Sequence, residues 1–242
     1  LTIKALLFDL GGTLVHRNVD DYIADETAVK DIADYMNSKG FSIDQECFLE
    51  KYWNHYRRLN EYRENFMIEI PMTVWLSELL HDVCGEHLDF KLLSKAEKAI
   101  VDARVESAIL LPKTIEILEK LSSQYDLGII TNTSSGQVAD RVLARLKLNR
   151  FFDYVIASSE VGVRKPYPGI FFHIVKEMFI RPEEALFIGD SIKHDIVGSN
   201  LVNMKSCLFG QKGLELSNIL YMPDLSIMNL SDLLTVESLL ND

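Results

Sequence analysis

The sequence predicts an α/β protein, a parallel Rossmann-like three-layer sandwich with an all-helical domain inserted into it. Three observations predict this class. The chain opens on an apolar run that ends in an aspartate and a glycine pair, Lys4-Ala5-Leu6-Leu7-Phe8-Asp9-Leu10-Gly11-Gly12-Thr13-Leu14. That is the pattern of a buried strand delivering one carboxylate to a sheet edge. From about residue 16 to about residue 110 the hydrophobic period is helical throughout. From Leu110-Leu111-Pro112 onward, helices alternate with short β-rich runs, which implies a parallel sheet covered on both faces. The first strand must join that sheet, so residues 1–15 and 111–242 are expected to form the core and residues 16–110 the insert.

The elements follow in order. Residues 3–9 form the first strand, and Val15-His16-Arg17-Asn18-Val19-Asp20-Asp21 reads as an exposed connector. Val29, Ile32, Ala33 and Met36 share one helical face, and Gly40 suits its stop. Ser42 and Gln45 have capping-box spacing ahead of a second helix. In that helix Phe48, Tyr52 and Tyr56 recur every four residues beside Leu49 and Trp53, a stripe expected to pack in a bundle rather than bind a ligand. Pro71 suits the first turn of a third helix that carries Leu76, Leu79, Leu80 and Val83 and meets Gly85. Leu92, Leu93, Ala96, Ile100 and Ala103 mark a fourth.

In the second half, a helix through Ile115, Leu118 and Leu121 leads to a strand from Leu127 to Thr131, and one through Val138, Val142 and Leu146 leads to Tyr154-Val155-Ile156-Ala157. A helix through Ile170, Ile174 and Met178 leads to Ala185-Leu186-Phe187-Ile188-Gly189-Asp190. Ile196-Val197 lie in a further helix, Ser206 to Phe209 and Leu225 to Met228 are strands, and Leu233 to Leu240 is a last helix.

Composition narrows the function. Of 242 residues, 48% are hydrophobic and 25% charged, as in ordinary globular proteins. A formal net charge of −11 disfavours a nucleic-acid partner. No apolar run approaches the roughly 20 residues needed to span a bilayer, and the start of the chain lacks a signal-peptide pattern. Cys47, Cys84 and Cys207 are scattered and odd in number. They are expected to be reduced, buried filler in a cytoplasmic protein. Nothing in the sequence specifies an oligomeric state.

In parallel α/β sheets, ligands sit at the carboxyl ends of the strands. Those ends carry Asp9, Thr131-Asn132 and Asp190, with Asp195 five residues further on and Lys165 in the loop after the third core strand. Taken singly each has an ordinary role: Asp9 or Thr131-Asn132 in a turn, Lys165 solvated, Asp195 at a helix start. Together, three carboxylates on one rim would repel unless a cation intervenes, and an all-oxygen set suits Mg²⁺.

Phe8-Asp9-Leu10-Gly11-Gly12-Thr13-Leu14, Ile130-Thr131-Asn132, Lys165-Pro166-Tyr167-Pro168 and Gly189-Asp190-Ser191 with Asp195 resemble the four ordered motifs of the haloacid dehalogenase superfamily. The resemblance covers the whole chain, and the inserted helices look like that family's cap. It implies Asp9 as nucleophile, forming an aspartyl-phosphate. It implies Mg²⁺ held by Asp9, the Gly11 backbone carbonyl and Asp190, with Asp195 at or near the metal. It implies Thr131 and the Asn132 N–H on phosphoryl oxygens with Gly12 beside them, and Lys165 neutralising nucleophile and phosphate. The implied substrate is a small phosphorylated metabolite, and the cap would open and close over it, hinged near residues 15–20 and 107–112.

The pattern breaks at Gly11. Phosphatases of this family usually carry there a second aspartate that protonates the leaving oxygen and later activates water. Losing such a group costs on the order of 10²–10⁴-fold in rate. Three readings remain open. One is a Mg²⁺-dependent phosphatase with altered acid–base chemistry, in which His16, a cap residue or a good leaving group makes up the loss. Another is a haloacid dehalogenase, which needs neither the second aspartate nor a metal, although Asp190 and Asp195 argue against it; its phosphonatase-like variant needs a cap lysine, for which Lys30, Lys51 and Lys91 carry no recognisable motif. The third is a non-catalytic member that binds a phosphate compound or a partner.

Overall fold

The computed structural model describes residues 2–18, 21–85, 88–210 and 222–235. Strands are numbered along the chain as β1 Ala5–Phe8, β2 Val15–Arg17, β3 Ala108–Leu110, β4 Asp126–Thr131, β5 Tyr154–Ala157, β6 Ala185–Gly189, β7 Lys205–Phe209 and β8 Leu225–Ile227. The helices are α1 Asp21–Ser38, α2 Gln45–Phe66, α3 Met72–Cys84, α4 Phe90–Ser107, α5 Thr114–Leu121, α6 Gly136–Arg145, α7 Ser158–Val161, α8 Pro168–Glu177 and α9 Val197–Leu201.

Six strands form one parallel sheet in the order β5-β4-β1-β6-β7-β8. Their pleat sorts side chains to two cores. Leu6, Phe8, Leu127, Ile129, Leu186 and Ile188 face the side of α5 and α6, whereas Ala5, Leu7, Ile130 and Phe187 meet Ile170, Phe171 and Ile174 of α8. Both faces of β1 are therefore dry, which is why its sequence is a continuous apolar run. The protein is thus an α/β three-layer sandwich, as its sequence predicts.

The chain leaves β1 toward β4 and β5, then crosses back to β6 on the other side of β1. This reversal opens a crevice at the carboxyl end of β1. Phe8 is in register with Ile129 and Ile188, and the Asp9 N–H donates to the Ile188 carbonyl at 2.9 Å. Asp9 therefore emerges level with the ends of β4 and β6.

Helices α1–α4 stand between β2 and β3 and pack into a bundle through Val29, Ile32, Met36, Leu76, Leu79, Ala96 and Ile100. The segment at 15–21 is not simply an exposed connector. β2 pairs antiparallel with β3, and Val15 is buried. The two crossings between core and bundle run side by side, and pairing satisfies backbone groups that would otherwise be stranded there. Position 44 also differs from expectation. Asp44, not Ser42, caps α2, its Oδ1 accepting the Cys47 N–H at 2.8 Å, because the helix begins one residue after Asp44. Cys84 and Cys207 are buried thiols, but Cys47 is exposed on the first turn of α2 and is not core filler.

Phe48 and Tyr52 of the aromatic stripe are core residues, and Tyr52 meets Trp75 edge-on at 5.7 Å. Tyr56 is half-buried at the edge of a cavity facing the sheet. Of the helix expected over 233–240, a 3₁₀ turn at Leu230–Leu234 overlaps the start, and residues 236–240 lie outside the described residues. No helix among the described residues is long and apolar enough to cross a membrane.

Candidate active site

The crevice at β1 gathers three of the predicted carboxylates around the ammonium group of the predicted lysine. Lys165 is fully buried, and its Nζ lies 2.7 Å from Asp9 Oδ1 and 2.7 Å from Asp195 Oδ1. Asp9, Asp190 and Asp195 each offer a carboxylate oxygen within 4.8 Å of the others'. The second Asp195 oxygen accepts the Ser191 N–H at 3.0 Å. This cluster lines a cavity of about 190 Å³ together with Gly11, Thr131, Asn132, Arg164 and His194.

Glycines make the approach possible. Gly12 adopts φ +87°, and a Cβ there would overlap the Asp190 carboxylate. A Cβ at Gly189 would likewise overlap the Asp195 carboxylate. Gly12 does not present its N–H to the cavity, since that group donates to the Val15 carbonyl at 2.7 Å. Its contribution is therefore space for Asp190 rather than a donor for phosphate. Gly11 differs from both: none of the described residues comes within 4 Å of a Cβ built on it.

Asn132 does more than a turn residue would. Its Nδ2 donates to the Lys165 carbonyl at 3.0 Å, and its Oδ1 accepts the Lys165 N–H at 2.8 Å. Thr131 is buried at the end of β4.

Electrostatics follow from this crowding. Burial pushes the Asp9 carboxyl up to about 7, against the attraction of Lys165 and with the repulsion of Asp195 and Asp190. Burial and the Asp195 charge also raise Asp190. Burial disfavours the Lys165 charge, but Asp195 and Asp9 outweigh it and hold the ammonium protonated above its ordinary range. Three carboxylates around one ammonium leave a deficit of positive charge among hard oxygen donors. That donor set fits Mg²⁺.

Residues of the helical bundle contact the loops that carry this site. Ile68 forms an antiparallel bridge with Val163, the Arg164 N–H donates to the Met67 carbonyl at 3.1 Å, and the Met72 N–H donates to the Ser134 carbonyl at 2.6 Å. Buried Glu69 accepts the Ser158 hydroxyl at 2.8 Å and pairs with Arg63 Nε at 2.9 Å. Glu64 of α2 reaches the loop between Asp190 and Asp195, pairing with Lys193 and lying 3.0 Å from His194 Nε2.

These bundle residues have no counterpart among those singled out in the sequence. One signal was available. Asp25 precedes Ala28 and Val29 by one helical turn, and Arg104 follows Ile100 by one turn, so both fall on core-facing stripes. Opposite charges at such positions must pair, and Arg104 Nε and Nη2 donate to the Asp25 carboxylate at 2.9 and 2.6 Å. His16 is exposed and lines a neighbouring cavity of about 450 Å³ with Gly11 and Thr131. Lys30 pairs with Glu26 and Glu46, Lys51 and Lys91 are exposed, and none of the three lines the Asp9 cavity.

Residues 3–200 match the haloacid dehalogenase-like hydrolase family. The chain is 29% identical over 208 residues to a glyceraldehyde 3-phosphate phosphatase of Pyrococcus furiosus, covering 86% of this chain and 80% of that protein. It is 26% identical to the pyrophosphatase PpaX of Bacillus cereus, covering 100% of this chain and 99% of that protein. A 2-haloacid dehalogenase from Pseudomonas syringae superposes with a TM-score of 0.75 at 22% identity, covering 98% of this chain and 99% of that one, a likeness of fold.

Proposed function

The chain belongs to the haloacid dehalogenase-like hydrolases, and from that premise we propose that it is a Mg²⁺-dependent phosphatase acting on a small phosphorylated metabolite. The observation that carries this reading is the buried Lys165 bridging Asp9 and Asp195 beside Asp190. In this reading residues 16–110 are the cap, residues 1–15 and 111–242 the catalytic core, and the protein works in the cytoplasm.

Asp9 attacks phosphorus. A bond forms between its free-standing carboxylate oxygen and phosphorus as the bond to the leaving oxygen breaks, giving an aspartyl-phosphate. Water then attacks phosphorus, releasing inorganic phosphate and restoring Asp9. Lys165 neutralises charge on Asp9 and on the phosphoryl group as it transfers. Thr131 and the Asn132 N–H bind phosphoryl oxygens, and the Asn132 side chain sets the position of Lys165. Asp9, the Gly11 carbonyl and Asp190 would hold Mg²⁺, with Asp195 beside them. When bound, the ion lowers the repulsion between nucleophile and phosphate and offsets charge on the transferring oxygens.

Gly11 has no proton to give. Leaving groups that depart as stable anions are therefore favoured, and His16, on the neighbouring cavity wall, is the residue available for poorer ones. The phosphonatase-like alternative loses support because its cap lysine has no candidate among the described residues of the cavity wall.

A panel of phosphate esters assayed with and without Mg²⁺ tests the reading. Metal-dependent phosphate release abolished by Asp9→Asn is expected. Chloride release from haloacids without metal would overturn it, as would tight phosphate-ligand binding with no turnover of any ester.

A further inference from the structure

Glu69 enters from the loop between α2 and α3 and holds both ends of α7. Its N–H donates at 3.0 Å to the carbonyl of Gly162, which follows the last residue of α7. Its side chain accepts at 2.8 Å the hydroxyl of Ser158, the first residue of α7. Glu69 and Ser158 are both buried, and neither lines the Asp9 cavity. A buried carboxylate needs a charge partner and hydrogen bonds, and here Arg63 supplies the charge and Ser158 a hydrogen bond.

Ser158 also faces the loop after β4. The register of β5 on β4 sets Ala157 level with Thr131, which brings Ser158 beside Thr133. Ser158 Oγ accepts the Thr133 N–H at 2.8 Å and stands 3.0 Å from the Thr133 carbonyl. A serine hydroxyl has one proton to give. Two acceptors among the described residues compete for it, the Glu69 carboxylate and the Thr133 carbonyl. The ion-paired carboxylate wins, because hydrogen bonds to charged groups are about twice as strong as neutral ones. With its proton turned to Glu69, Oγ points electron density at the Thr133 N–H, and the two bonds reinforce each other. Without Glu69 the proton turns to the carbonyl of the same residue whose N–H it holds, and that grip loosens.

Thr133 directly follows Thr131 and Asn132. We propose that Ser158 is a positioning residue for this loop and that Glu69, from the helical insert, sets the direction of its proton. The proposal rests on the phosphatase reading, in which Thr131 and the Asn132 N–H take the phosphoryl oxygens. It adds a residue of the insert that acts on those donors from outside the Asp9 cavity, through two hydrogen bonds in series.

Two measurements on Ser158→Ala, Glu69→Gln and the double variant test it. The first is hydrogen exchange of the Thr133 amide, read by NMR. Exchange should quicken about tenfold or more in Ser158→Ala and severalfold in Glu69→Gln. The double variant should match Ser158→Ala, because the carboxylate acts through the hydroxyl. The second is calorimetric binding of inorganic phosphate to the Mg²⁺-loaded protein. Phosphate should bind Ser158→Ala about tenfold more weakly, again with no further loss in the double variant. Mg²⁺ affinity should stay at the wild-type value in all three, which a general loosening of the core would not allow. Unchanged exchange in Glu69→Gln, unchanged phosphate affinity in Ser158→Ala, effects that multiply in the double variant, or a parallel loss of Mg²⁺ affinity overturns the relay and leaves the phosphatase reading standing. Wild-type protein that binds no phosphate overturns that reading, and the positioning role with it.

Discussion

Asn132 grips the backbone of Lys165 with both ends of its amide, donating at 3.0 Å and accepting at 2.8 Å across a separation of 33 residues. The end of β4 thereby fixes the loop that carries the buried ammonium. An Asn132→Ala variant loses both bonds, each worth about 1 kcal/mol, and leaves Lys165 with more freedom than in-line transfer tolerates. The expected result is a fall in kcat of about 10²-fold with a small change in melting temperature. Asn132→Asp keeps the acceptor but not the donor and should be intermediate. Unchanged turnover in Asn132→Ala would show that the grip is incidental.

The space beside Gly11 allows a direct test of the missing proton carrier. A Cβ at Gly11 meets none of the described residues within 4 Å, and the position needs no left-handed backbone. Gly11→Asp should therefore fold normally. If acid–base chemistry is what the site lacks, the variant should turn over alkyl phosphates about 10²-fold faster or more while p-nitrophenyl phosphate, with its good leaving group, changes little. Gly11→Ala serves as the control. No gain on alkyl phosphates would mean that another group, with His16 the first to test, already moves the proton.

Asp9 predicts how metal and pH are linked. Its carboxyl stands at about 7, above an ordinary 3.8, chiefly because it is buried. The folded state therefore binds the proton more tightly than the unfolded one. For the metal-free protein this carboxyl leaves stability highest below pH 4, declining as pH rises to about 7 and flat beyond. A divalent cation relieves the penalty only once the carboxylate is ionised. The rise in melting temperature on adding Mg²⁺ in place of EDTA should be clearly larger at pH 8 than at pH 5, and Asp9→Asn should remove the difference. An equal rise at both pH values would refute the linkage, since a carboxyl titrating near 4 would already be ionised throughout that range.

Legibility in the sequence followed burial. The strands β1, β4 and β6 were readable because both of their faces are dry, leaving short continuous apolar runs that end in Asp9, Thr131 and Asp190. The approach of Asp9, Lys165, Asp190 and Asp195 followed from sheet topology, because one rim collects the ends of neighbouring strands. The cavity beside Tyr56 was not readable. Its arginines, Arg17, Arg63, Arg104 and Arg164, come from β2, α2, α4 and the loop before α8, and no local period links them. Their meeting depends on how the helical bundle docks, which rests on isolated contacts such as Ile68 with Val163 and Glu69 with Ser158. The β2–β3 ribbon escaped for a similar reason, since two three-residue strands 93 positions apart leave almost no pattern.

Glu64 of α2 pairs with Lys193 and His194 in the loop between Asp190 and Asp195, and this contact is the one expected to hold the bundle closed. Burial opposes the Glu64 charge, but hydrogen bonds from Lys193 and His194, aided by Arg164, hold its carboxyl down at about 2. These partners lie on the core while Glu64 lies on α2, so the contact exists only while the two parts are together. Glu64 is about one-fifth exposed and Lys193 well exposed, so salt screens part of the attraction. Glu64→Gln keeps the shape and removes the charge. It should raise KM severalfold with little loss of kcat, and it should increase the radius of gyration of the ligand-free protein in solution scattering. A phosphate analogue should restore the compact form, because ligand contacts then supply what the carboxylate did. The β2–β3 ribbon is the expected pivot, since both backbone crossings at 15–17 and 108–110 run through it. Identical scattering curves for wild type and Glu64→Gln, with and without the analogue, would show that the bundle stays docked regardless of this contact and that Glu64 does not control access to Asp9.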